Sequence, residues 1–428
     1  MFILYDFLFI VFSVLYLPYF LIKGKWRGFS RQRFGIFPAE VLSGLDGSRP
    51  IWIHAVSVGE VMASVPLLEE ITKNYPGEKI IVSTVTSTGN RVARDKFDGR
   101  AVVIYLPLDI SFIVNKVKKA INPKAVLIAE TEIWPNFIKS LNSRGAKIIL
   151  FNGRLSRNSF KGYSMIAPLL RGVLRRIDLF LMQSKADADK IISLGAPSER
   201  VKVTGNLKYD AAFTPGKKEA SDAAELRHKF GLVREEQLFI AGSTHPGEEE
   251  IILLSYKALM KEHPALRLLI APRHIERAGE LENLCKARGF DCRLVSRLKS
   301  ADRPLKQGEI LILDVMGILS EVYSAGDVVF IGGSLINKGG QNPLEAAYHS
   351  KAVIFGPYTH NFEDITEELL AAGAAVRVTD GSDLTEKVRR LLEDADGRRQ
   401  TGERGRKLLE SNVGVARHDL ELIRPLLV

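Results

Sequence analysis

The sequence predicts an α/β protein with two doubly wound, Rossmann-like domains that face a cleft, preceded by an amino-terminal membrane-anchor helix. Three observations support this prediction. After residue 50, short apolar runs alternate with longer helical patterns, the alternation pauses once in mid-chain, and the first 22 residues are almost entirely apolar. Alternation of strands and helices is typical of parallel sheets that are covered by helices.

The composition fits a globular protein with two hydrophobic cores. The chain has 428 residues, of which 46% are hydrophobic and 26% are charged, which argues against disorder. Its formal net charge is +10, a balance that favours an anionic partner such as an anionic membrane or a phosphorylated substrate. Because few basic runs are interleaved with aromatic residues, no nucleic-acid partner is expected.

Cysteine and histidine usage argues against a metal site. Cys285 and Cys292 are the two cysteines, and two thiols alone cannot complete a tetrahedral zinc site. We expect both to be reduced and structural. The eight histidines show no spacing typical of metal ligands, so no protein-bound metal is predicted.

Residues 1–22 are predicted to form the membrane anchor. The apolar run over residues 2–22 is broken by Asp6, has no cleavage site and is long enough to cross a bilayer once. Basic residues follow it without an intervening acid, at Lys23, Lys25, Arg27, Arg31 and Arg33. This flank is therefore expected on the cytoplasmic face, against anionic head groups. A buried core helix, or a helix lying in the membrane plane, is the alternative.

The first domain is predicted over residues 23–210 and the second over 223–428, with a linker at 211–222 that contains Pro215 and Gly216. A single large sheet is the weaker alternative. Strands in the first domain are predicted at 51–56, 79–85, 101–106, 125–130, 147–152, 179–183 and 201–204. Strands in the second are predicted at 238–241, 266–271, 292–295, 310–314, 328–332, 352–355 and 374–378.

The first predicted strand is followed by a small-residue turn that ends in Glu60. A helical pattern starts there, so the carboxylate is expected at the carboxyl edge of a parallel sheet, where open α/β sheets bind ligands. A glutamate held there partly out of water can act as a base. The alternative interpretation is that Glu60 only complements the helix dipole.

Two further segments of the first domain follow predicted strands. Glu130 and Glu132 come directly after one strand, and Lys208 comes after the last. Both segments are expected at the cleft. Lys208 and Glu130 either pair with each other, or the lysine stabilises charge that develops on a leaving phosphate or a substrate carboxylate.

The second domain carries candidate nucleotide contacts after two of its strands. Arg273 offers a planar fork for phosphate beside His274, although a surface salt bridge is the alternative. Gly317, which follows Met316, permits close approach of a base edge to the main chain, whereas Met316 alone is more often a core residue.

A glycine-rich stretch after another strand ends in a predicted helix. Asn342 suits the helix cap and Pro343 the first helical position. The amides at that helix start are expected to hold a phosphate, and Glu345 to accept hydrogen bonds from ribose hydroxyls. A capped turn explains the glycines and the proline, but it does not explain the glutamate.

Taken together, these motifs resemble those of the 3-deoxy-D-manno-octulosonic acid (Kdo) transferases, which are membrane-associated glycosyltransferases. The resemblance runs across nearly the whole chain. It is carried by residues 54–60, 131–135, 152–156, 205–210, 272–274, 314–319 and 339–345. It implies a glycosyltransferase fold of the B type (GT-B), CMP-Kdo as donor, and transfer with inversion to a lipid A precursor (lipid IVA) at the inner membrane in lipopolysaccharide core biosynthesis.

The resemblance also assigns roles to residues of this chain. Glu60 matches the proton acceptor of the family, and Glu130 and Lys208 match residues that stabilise the transition state. The segments that match the CMP-binding segments contain Pro272, Arg273, Met316, Gly317, Ile318, Asn342, Pro343, Leu344 and Glu345. No cofactor or metal is implied.

Two positions depart from the family pattern. Ile318 stands where the family often has glutamate, and Gln341 stands where it often has histidine. Main-chain contacts are expected to survive both changes, whereas the resemblance leaves open which side-chain contacts Ile318 and Gln341 make.

Two alternative functions fit parts of the same pattern. One is a nucleotide-sugar epimerase of the same fold, which would need no lipid acceptor. The other is a non-catalytic, membrane-associated protein that binds nucleotide or lipid. The apolar amino terminus argues against the first, and the presence of Glu60, Lys208, Arg273 and Glu345 argues against the second.

Overall fold

The computed structural model describes residues 5–11, 13, 15, 30–45, 47–213, 223–298 and 303–427. The chain divides into two units. One consists of Met1–Ala211 together with Asn412–Val428, and the other of Ala212–Ser411. Over the described residues each unit contains a seven-stranded sheet in which all paired strands are parallel. The prediction of two parallel-sheet α/β domains is therefore confirmed.

The sheet of the first unit has the strand order β3-β2-β1-β4-β5-β6-β7. Each strand coincides with a predicted one to within two residues. Their bounds are β1 (Ile51–His54), β2 (Ile80–Thr84), β3 (Val102–Tyr105), β4 (Ala125–Ala129), β5 (Lys147–Gly153), β6 (Leu179–Met182) and β7 (Val201–Val203). Trp52 packs in the core on one face of the sheet, and Ile51 and Ile53 pack in the core on the other. A strand covered on both faces is apolar throughout, which is why these runs are recognisable in the sequence.

Helices cover both faces of the first sheet. They are α1 (Ala39–Ser43), α2 (Val58–Asn74), α3 (Ser87–Lys96), α4 (Ser111–Ala120), α5 (Pro135–Asn142), α6 (Arg157–Met165), α7 (Ala167–Leu174), α8 (Lys185–Ser193) and α9 (Leu207–Phe213). Short 3-10 helices lie at Arg31–Phe34 and Ser198–Arg200.

The sheet of the second unit has the order β10-β11-β9-β8-β12-β13-β14. Its strands are β8 (Gln237–Thr244), β9 (Leu266–Pro272), β10 (Asp291–Leu294), β11 (Glu309–Ile312), β12 (Val328–Ile331), β13 (Ala352–Phe355) and β14 (Ala375–Arg377). All seven match predicted strands. The largest difference is at β8, which extends to Thr244 because pairing with β9 continues past a register shift after Gly242.

The helices of the second unit begin at α10 (Ala223–Lys229) and α11 (Glu248–Glu262). The others are α12 (Ala278–Ala287), α13 (Leu319–Val322), α14 (Leu344–Tyr348), α15 (Glu363–Ala371), α16 (Gly381–Glu393) and α17 (Ala395–Asn412). Short 3-10 helices lie at Ile275–Arg277, Val295–Arg297 and Tyr323–Ala325.

The last helix, α18 (Val415–Leu427), belongs to the first unit. The sequence-based division placed residues 223–428 in the second domain, but the apolar face of α18 packs in the core of the first sheet. Asp210 caps the helix by accepting hydrogen bonds from Gly414 N and Ala416 N, both at 2.6 Å. Sequence patterns identify this amphipathic helix but not the sheet on which it packs.

The amino-terminal run is helical at residues 5–11, 13 and 15. Asp6, the charge that interrupts the run, accepts hydrogen bonds at Oδ1 from Ser111 N (3.1 Å) and Asn136 Nδ2 (2.7 Å). Among the described residues no helix is both long enough and apolar enough to cross a bilayer. The rest of the predicted anchor, residues 1–4, 12, 14 and 16–22, and most of the predicted linker lie outside the described residues.

In both sheets the strand that comes first in the sequence lies in the interior of the sheet. β1 lies between β2 and β4, and β8 lies between β9 and β12. The chain direction of successive connections reverses at such a position, and ligands of open α/β sheets bind at the carboxyl edge there. Ligand sites are therefore expected in the loops after β1 and β4, and in those after β8, β9 and β12.

Glu248, at the start of α11, forms hydrogen bonds with two loops of the second unit, the loop after β8 and the loop after β12. Glu248 is fully buried. Its carboxylate accepts hydrogen bonds from His245 N, Gly333 N, Ser334 N and Leu335 N at 2.7–3.1 Å. Four amides occupy the full accepting capacity of a carboxylate. The glycine-rich loop after β12 is thereby held against the loop after β8.

We expect Asp419→Asn to stabilise the protein at neutral and alkaline pH. Asp419 lies in α18 and is fully buried. The Thr204 side chain favours the ionised carboxylate, but burial and the charge of Asp210 outweigh that effect. Burial raises the pKa of Asp419 to about 7. As the pH rises from about 4 to 7, the unfolded carboxyl ionises before the folded one does, so stability is lost over that window.

Denaturant unfolding at pH 5 and pH 8 measures this effect. The variant is expected to be more stable than the parent by roughly 1–3 kcal/mol at pH 8, with a smaller gain at pH 5. Glu421→Gln, at a side chain that is 62% exposed in the same helix, is the control and should change little at either pH. An equal gain at both values would contradict the titration argument.

We expect Glu248→Gln to destabilise the second unit. The amide offers one oxygen in place of two, so at least one buried main-chain N–H loses its acceptor, at roughly 1–3 kcal/mol for each lost partner. Amide hydrogen exchange at residues 333–335 should accelerate. The matched control is Glu250→Gln in the same helix, since the buried Glu250 Oε2 has no partner among the described residues. Unchanged exchange in Glu248→Gln would show that other contacts hold the loop.

Candidate functional site

The turn after β1 places Glu60 in the first turn of α2. Ser57 is the N-cap of that helix, and its hydroxyl accepts a hydrogen bond from Glu60 N at 3.5 Å. The Glu60 carboxylate in turn accepts hydrogen bonds from Val56 N at Oε2 and from the Ser57 hydroxyl at Oε1, both at 2.8 Å. This arrangement is a variant of the capping box. Only 7% of Glu60 is exposed.

The turn itself is held rigidly by the end of β2. The Val56 carbonyl accepts hydrogen bonds from Val85 N (3.2 Å), Thr86 N (3.1 Å) and Thr86 Oγ1 (3.2 Å). Gly89 packs against the same turn, where a Cβ atom would lie 3.3 Å from the Val56 carbonyl oxygen and the Ser57 carbonyl carbon. A glycine at that position therefore allows α3 to approach the turn closely.

The surroundings of Glu60 raise its pKa to about 7. Burial is the largest cause, and the negative charge of Glu130 adds to it, with a smaller effect from Glu132. The hydrogen bonds from Val56 N and Ser57 act in the opposite direction. A carboxylate whose pKa lies near neutral pH is a competent general base.

Glu130 directly follows β4 and adopts a left-handed backbone conformation with φ of 53°. Its main-chain N–H donates to Phe151 O in the neighbouring strand β5 at 2.9 Å. Its carboxylate Oε1 lies 4.0 Å from Lys208 Nζ. The ion pair that the sequence left as one of two alternatives is therefore present, and Lys208, Glu130 and Glu60 belong to one electrostatic cluster in the first unit.

Asn152 positions the start of the helix that carries Lys208. It is buried at the end of β5 and has a φ of 50°. Its Oδ1 accepts a hydrogen bond from Leu207 N at 3.0 Å, and Asn206 Oδ1 accepts one from Lys208 N at 3.0 Å. Asn152 lies in residues 152–156, one of the segments that resemble the family, but the sequence predicted no role for it. In the sequence alone, an asparagine at the end of a strand cannot be distinguished from a turn residue.

The loop over residues 130–134, called the acidic loop below, is fixed by two further contacts. Thr131 Oγ1 donates to Arg154 O at 2.6 Å, and the Tyr163 hydroxyl donates to Thr131 O at 3.0 Å. Burial, followed by the charge of Glu130, raises the pKa of Glu132. Burial and Glu132 together raise the pKa of Tyr163 to about 12, which keeps that phenol protonated.

His54, at the end of β1, is fully buried. Burial lowers its pKa to about 4, so the ring is neutral at physiological pH. Its Nδ1 lies 2.9 Å from Ser83 Oγ. These features indicate a packing role for His54 rather than proton transfer.

In the second unit, four basic side chains gather in the loops that follow β8, β9 and β12. They are His245, Arg273, His274 and Lys338, called the cationic cluster below. The rings of His245 and His274 lie 6.2 Å apart. The pKa of His245 is lowered first by burial and then by His274, Lys338 and Arg273. Because Arg273 and His274 are exposed, they are available to an anion.

The glycine-rich loop joins this cluster. Gly339 and Gly340 have φ values of 90° and 72°, a left-handed conformation that favours glycine. Gln341 Nε2 lies 3.3 Å from His245 Nε2. Gln341, one of the two residues that depart from the family pattern, therefore contacts the cationic cluster through its side chain. Neither His245 nor Lys338 was a sequence candidate, since neither stands in a motif of its own.

The helix α14 is capped one residue later than predicted, because its N-cap is Pro343 and Asn342 precedes the cap. Asn342 Oδ1 accepts a hydrogen bond from Leu344 N at 3.1 Å, and Asn342 Nδ2 donates to Glu345 Oε1 at 3.3 Å. α14 begins at Leu344, so Pro343 stands one position before the helix rather than at its first residue. Glu345 lies in the first turn, where the sequence places it, and is half-buried.

The loop after β11 presents Met316 and Gly317. Met316 is 71% exposed, and Gly317 has a φ of 87°. This exposure excludes a core position for Met316. Since β11 is next to β9 in the sheet, the segments around Pro272, Met316 and Asn342 all lie along one carboxyl edge of the second unit. Over the described residues no group of three or more His, Cys, Asp or Glu side chains is arranged to hold a metal ion.

Comparison with known proteins identifies the family. A family model described as 3-deoxy-D-manno-octulosonic-acid transferase matches residues 30–211. A 3-deoxy-D-manno-octulosonic acid transferase of Haemophilus influenzae is 34% identical over 383 residues, which cover 88% of this chain and 87% of that protein. One from Chlamydophila psittaci is 33% identical over 378 residues, covering 87% and 84%.

The fold is shared with solved enzymes of lower similarity. The UDP-GlcNAc 2-epimerase of Neisseria meningitidis, solved with UDP-GlcNAc, is 14% identical and has a TM-score of 0.60 over 88% of this chain and 100% of its own. That likeness concerns the architecture alone. The identity to the transferases over most of both sequences shows that the chain belongs to the Kdo transferase family, whose reaction is Kdo transfer in lipopolysaccharide core biosynthesis.

Proposed function

We propose that this protein is an inverting glycosyltransferase that moves Kdo from CMP-Kdo to a lipid A precursor, lipid IVA. The observation that carries the proposal is the state of Glu60. Its carboxylate is buried beside Glu130 and has a pKa of about 7. In the described part of the chain two hydrogen-bond donors reach it, which leaves each oxygen able to accept a proton.

Glu60 acts as the general base. It takes the proton of an acceptor sugar hydroxyl while that oxygen forms a bond to the anomeric carbon of Kdo. The bond from that carbon to the phosphate oxygen of CMP breaks at the same time, and CMP leaves with the electron pair. Lys208, paired with Glu130 at 4.0 Å, stabilises the negative charge that develops.

The cationic cluster and the glycine-rich loop hold the CMP moiety. Arg273 binds the phosphate with its planar fork, supported by the positive field of the neighbouring side chains. Main-chain groups around Gly317 contact the base, and Glu345 accepts hydrogen bonds from the ribose. A monophosphate leaving group in a cationic site can depart without a metal ion, and we propose none.

The amino terminus associates with the cytoplasmic face of the inner membrane. Apolar side chains of its helical residues are exposed, at Phe7, Leu8, Ile10, Val11 and Leu15. Asp6 holds the same segment to α4 and α5 of the first unit. Exposed apolar side chains followed by the basic flank suit an anionic membrane surface, where the lipid acceptor resides.

The direct test of the proposed function is incubation of the purified protein with CMP-Kdo and tetra-acylated lipid IVA, followed by mass analysis of the lipid. A product heavier by one or more Kdo residues supports the proposal. Epimerase activity would instead change the sugar nucleotide without any lipid. Binding of CMP without turnover would indicate a non-catalytic protein.

We expect Glu60→Gln to reduce kcat for Kdo transfer by about 10²–10⁴-fold, because the amide cannot accept the hydroxyl proton. In the parent protein, activity should fall as the pH drops through about 7, where Glu60 becomes protonated. Glu69→Gln, a half-buried position in the same helix, serves as the control. Near-normal transfer by folded Glu60→Gln would disprove the assignment of the base.

We expect Arg273→Ala to weaken CMP binding by about 10–100-fold, the usual loss for a hydrogen bond to a charged partner. Arg273→Lys should restore only part of the affinity, because a lysine lacks the planar fork. Calorimetric titration with CMP measures both variants. Arg234→Ala, an exposed arginine of the same unit, should bind CMP as the parent does. Equal affinities for Arg273→Ala and Arg234→Ala would remove Arg273 from the phosphate site.

A further inference from the structure

Ser57 makes two hydrogen bonds with Glu60, and only one of them is needed to cap a helix. Its hydroxyl oxygen accepts from Glu60 N at 3.5 Å, which is the long capping contact. Its hydroxyl hydrogen is donated to Glu60 Oε1 at the shorter distance of 2.8 Å. Hydrogen bonds from a hydroxyl to a carboxylate are short and are stronger than those between neutral groups. The shorter contact is therefore the stronger of the two, and it reaches the carboxylate.

The other groups that act on Glu60 come from three elements. Val56 N, in the turn after β1, donates to Oε2. Glu130 and Glu132, in the acidic loop, bring negative charge. Lys208 of α9 lies 4.0 Å from the Glu130 carboxylate. His54 of β1 is neutral and does not contribute charge. Ser57 is thus the one side chain that donates to this carboxylate among the described residues.

We propose that Ser57 is a positioning residue, whose hydroxyl holds the Glu60 carboxylate in the ionised state and in the orientation required for proton abstraction. The rigid turn supports this role, because the carbonyl of Val56 is fixed by three donors from the end of β2. The Ser57 hydroxyl therefore approaches Oε1 from a fixed direction. Each of the two donors occupies one lone pair of one carboxylate oxygen, so each oxygen keeps a second lone pair that can accept a proton.

The inference rests on the proposed role of Glu60. It makes a prediction that would not follow if Ser57 served only as the N-cap of α2. Loss of the hydroxyl removes a donor from the ionised form, so Glu60 holds its proton to a higher pH. In a plot of kcat against pH, the acidic limb should therefore move to higher pH in Ser57→Ala, by on the order of one pH unit. Below pH 7 kcat should fall about tenfold, whereas at pH 9 the loss should be smaller.

Ser57→Thr keeps a hydroxyl at the same carbon and should restore the position of the acidic limb. Glu132→Gln removes a negative neighbour and should move the limb in the opposite direction, to lower pH. Opposite shifts from two substitutions around one carboxylate cannot come from a general loss of stability.

Two serines of the same unit provide matched controls. Ser184 caps α8 with the same geometry, accepting from Asp187 N and donating to Asp187 Oδ2, so Ser184→Ala removes an equivalent cap elsewhere in the unit. Ser64 Oγ donates to the Glu60 main-chain carbonyl at 2.7 Å, so Ser64→Ala removes a contact to the same residue without touching its carboxylate. Both variants should keep the parent pH profile.

The experiment measures kcat and KM between pH 5.5 and 9.5 for the parent and all five variants, with CMP-Kdo and lipid IVA. Thermal melting of each variant shows how much stability the lost cap removes. The proposal is overturned if Ser57→Ala and Ser184→Ala have the same profile, or if Ser57→Thr behaves as the alanine variant does. Glu60→Gln, run in parallel, separates the two levels of inference. If it stays active, the base assignment fails, and if it is inactive while Ser57→Ala keeps the parent profile, only the role of Ser57 fails.

Discussion

The organisation of both units depends on a buried glutamate at the start of the helix that follows the first strand of each sheet. Glu60 occupies this place after β1, and Glu248 occupies it after β8. Each follows a glycine, and each accepts a hydrogen bond from the main chain of the preceding turn. The two positions therefore have a similar local structure, and the number of donors that surrounds each carboxylate distinguishes their roles.

The hydrogen-bond accepting capacity of the Glu248 carboxylate is fully used. Four main-chain amides occupy its lone pairs, three of them from the loop after β12. Such a carboxylate has no capacity left for a substrate proton, and it serves as a structural tie. Glu60 receives two donors within the described part of the chain and has two acidic neighbours. An incompletely satisfied, buried carboxylate is a less stable arrangement, and such arrangements concentrate at functional sites.

Buried or half-buried carboxylates also attach the two terminal segments to the first unit. Asp210 caps α18, and Asp6 reaches the starts of α4 and α5, so a carboxylate at a helix start joins a segment distant in sequence to the first unit. Three of the four donors are main-chain N–H groups at helix starts, which have no partner within their own helix. These contacts also explain why an acid interrupts the apolar amino-terminal run, a position that looks unfavourable when only hydropathy is considered.

The sequence alone determined the strands, the division into two parallel sheets and the segments that meet at their carboxyl edges. It could do so because strands covered on both faces must be apolar throughout, and because parallel strands bring their following loops to one edge. The same rule is sufficient to assign Glu60, Glu130 and Arg273 to those edges, since each directly follows an apolar strand pattern or the short turn after one.

Only the tertiary structure decided which of these groups act on one another. The pKa of Glu60 depends on burial and on the acidic loop, which is separated from it by about 70 residues of sequence. The contact of Gln341 with His245 joins loops that follow different strands. The packing of α18 on the first sheet places the carboxyl-terminal helix in the first unit. Local periodicity and propensity act over a few residues, whereas desolvation and charge pairing are set by what lies next to a group in space.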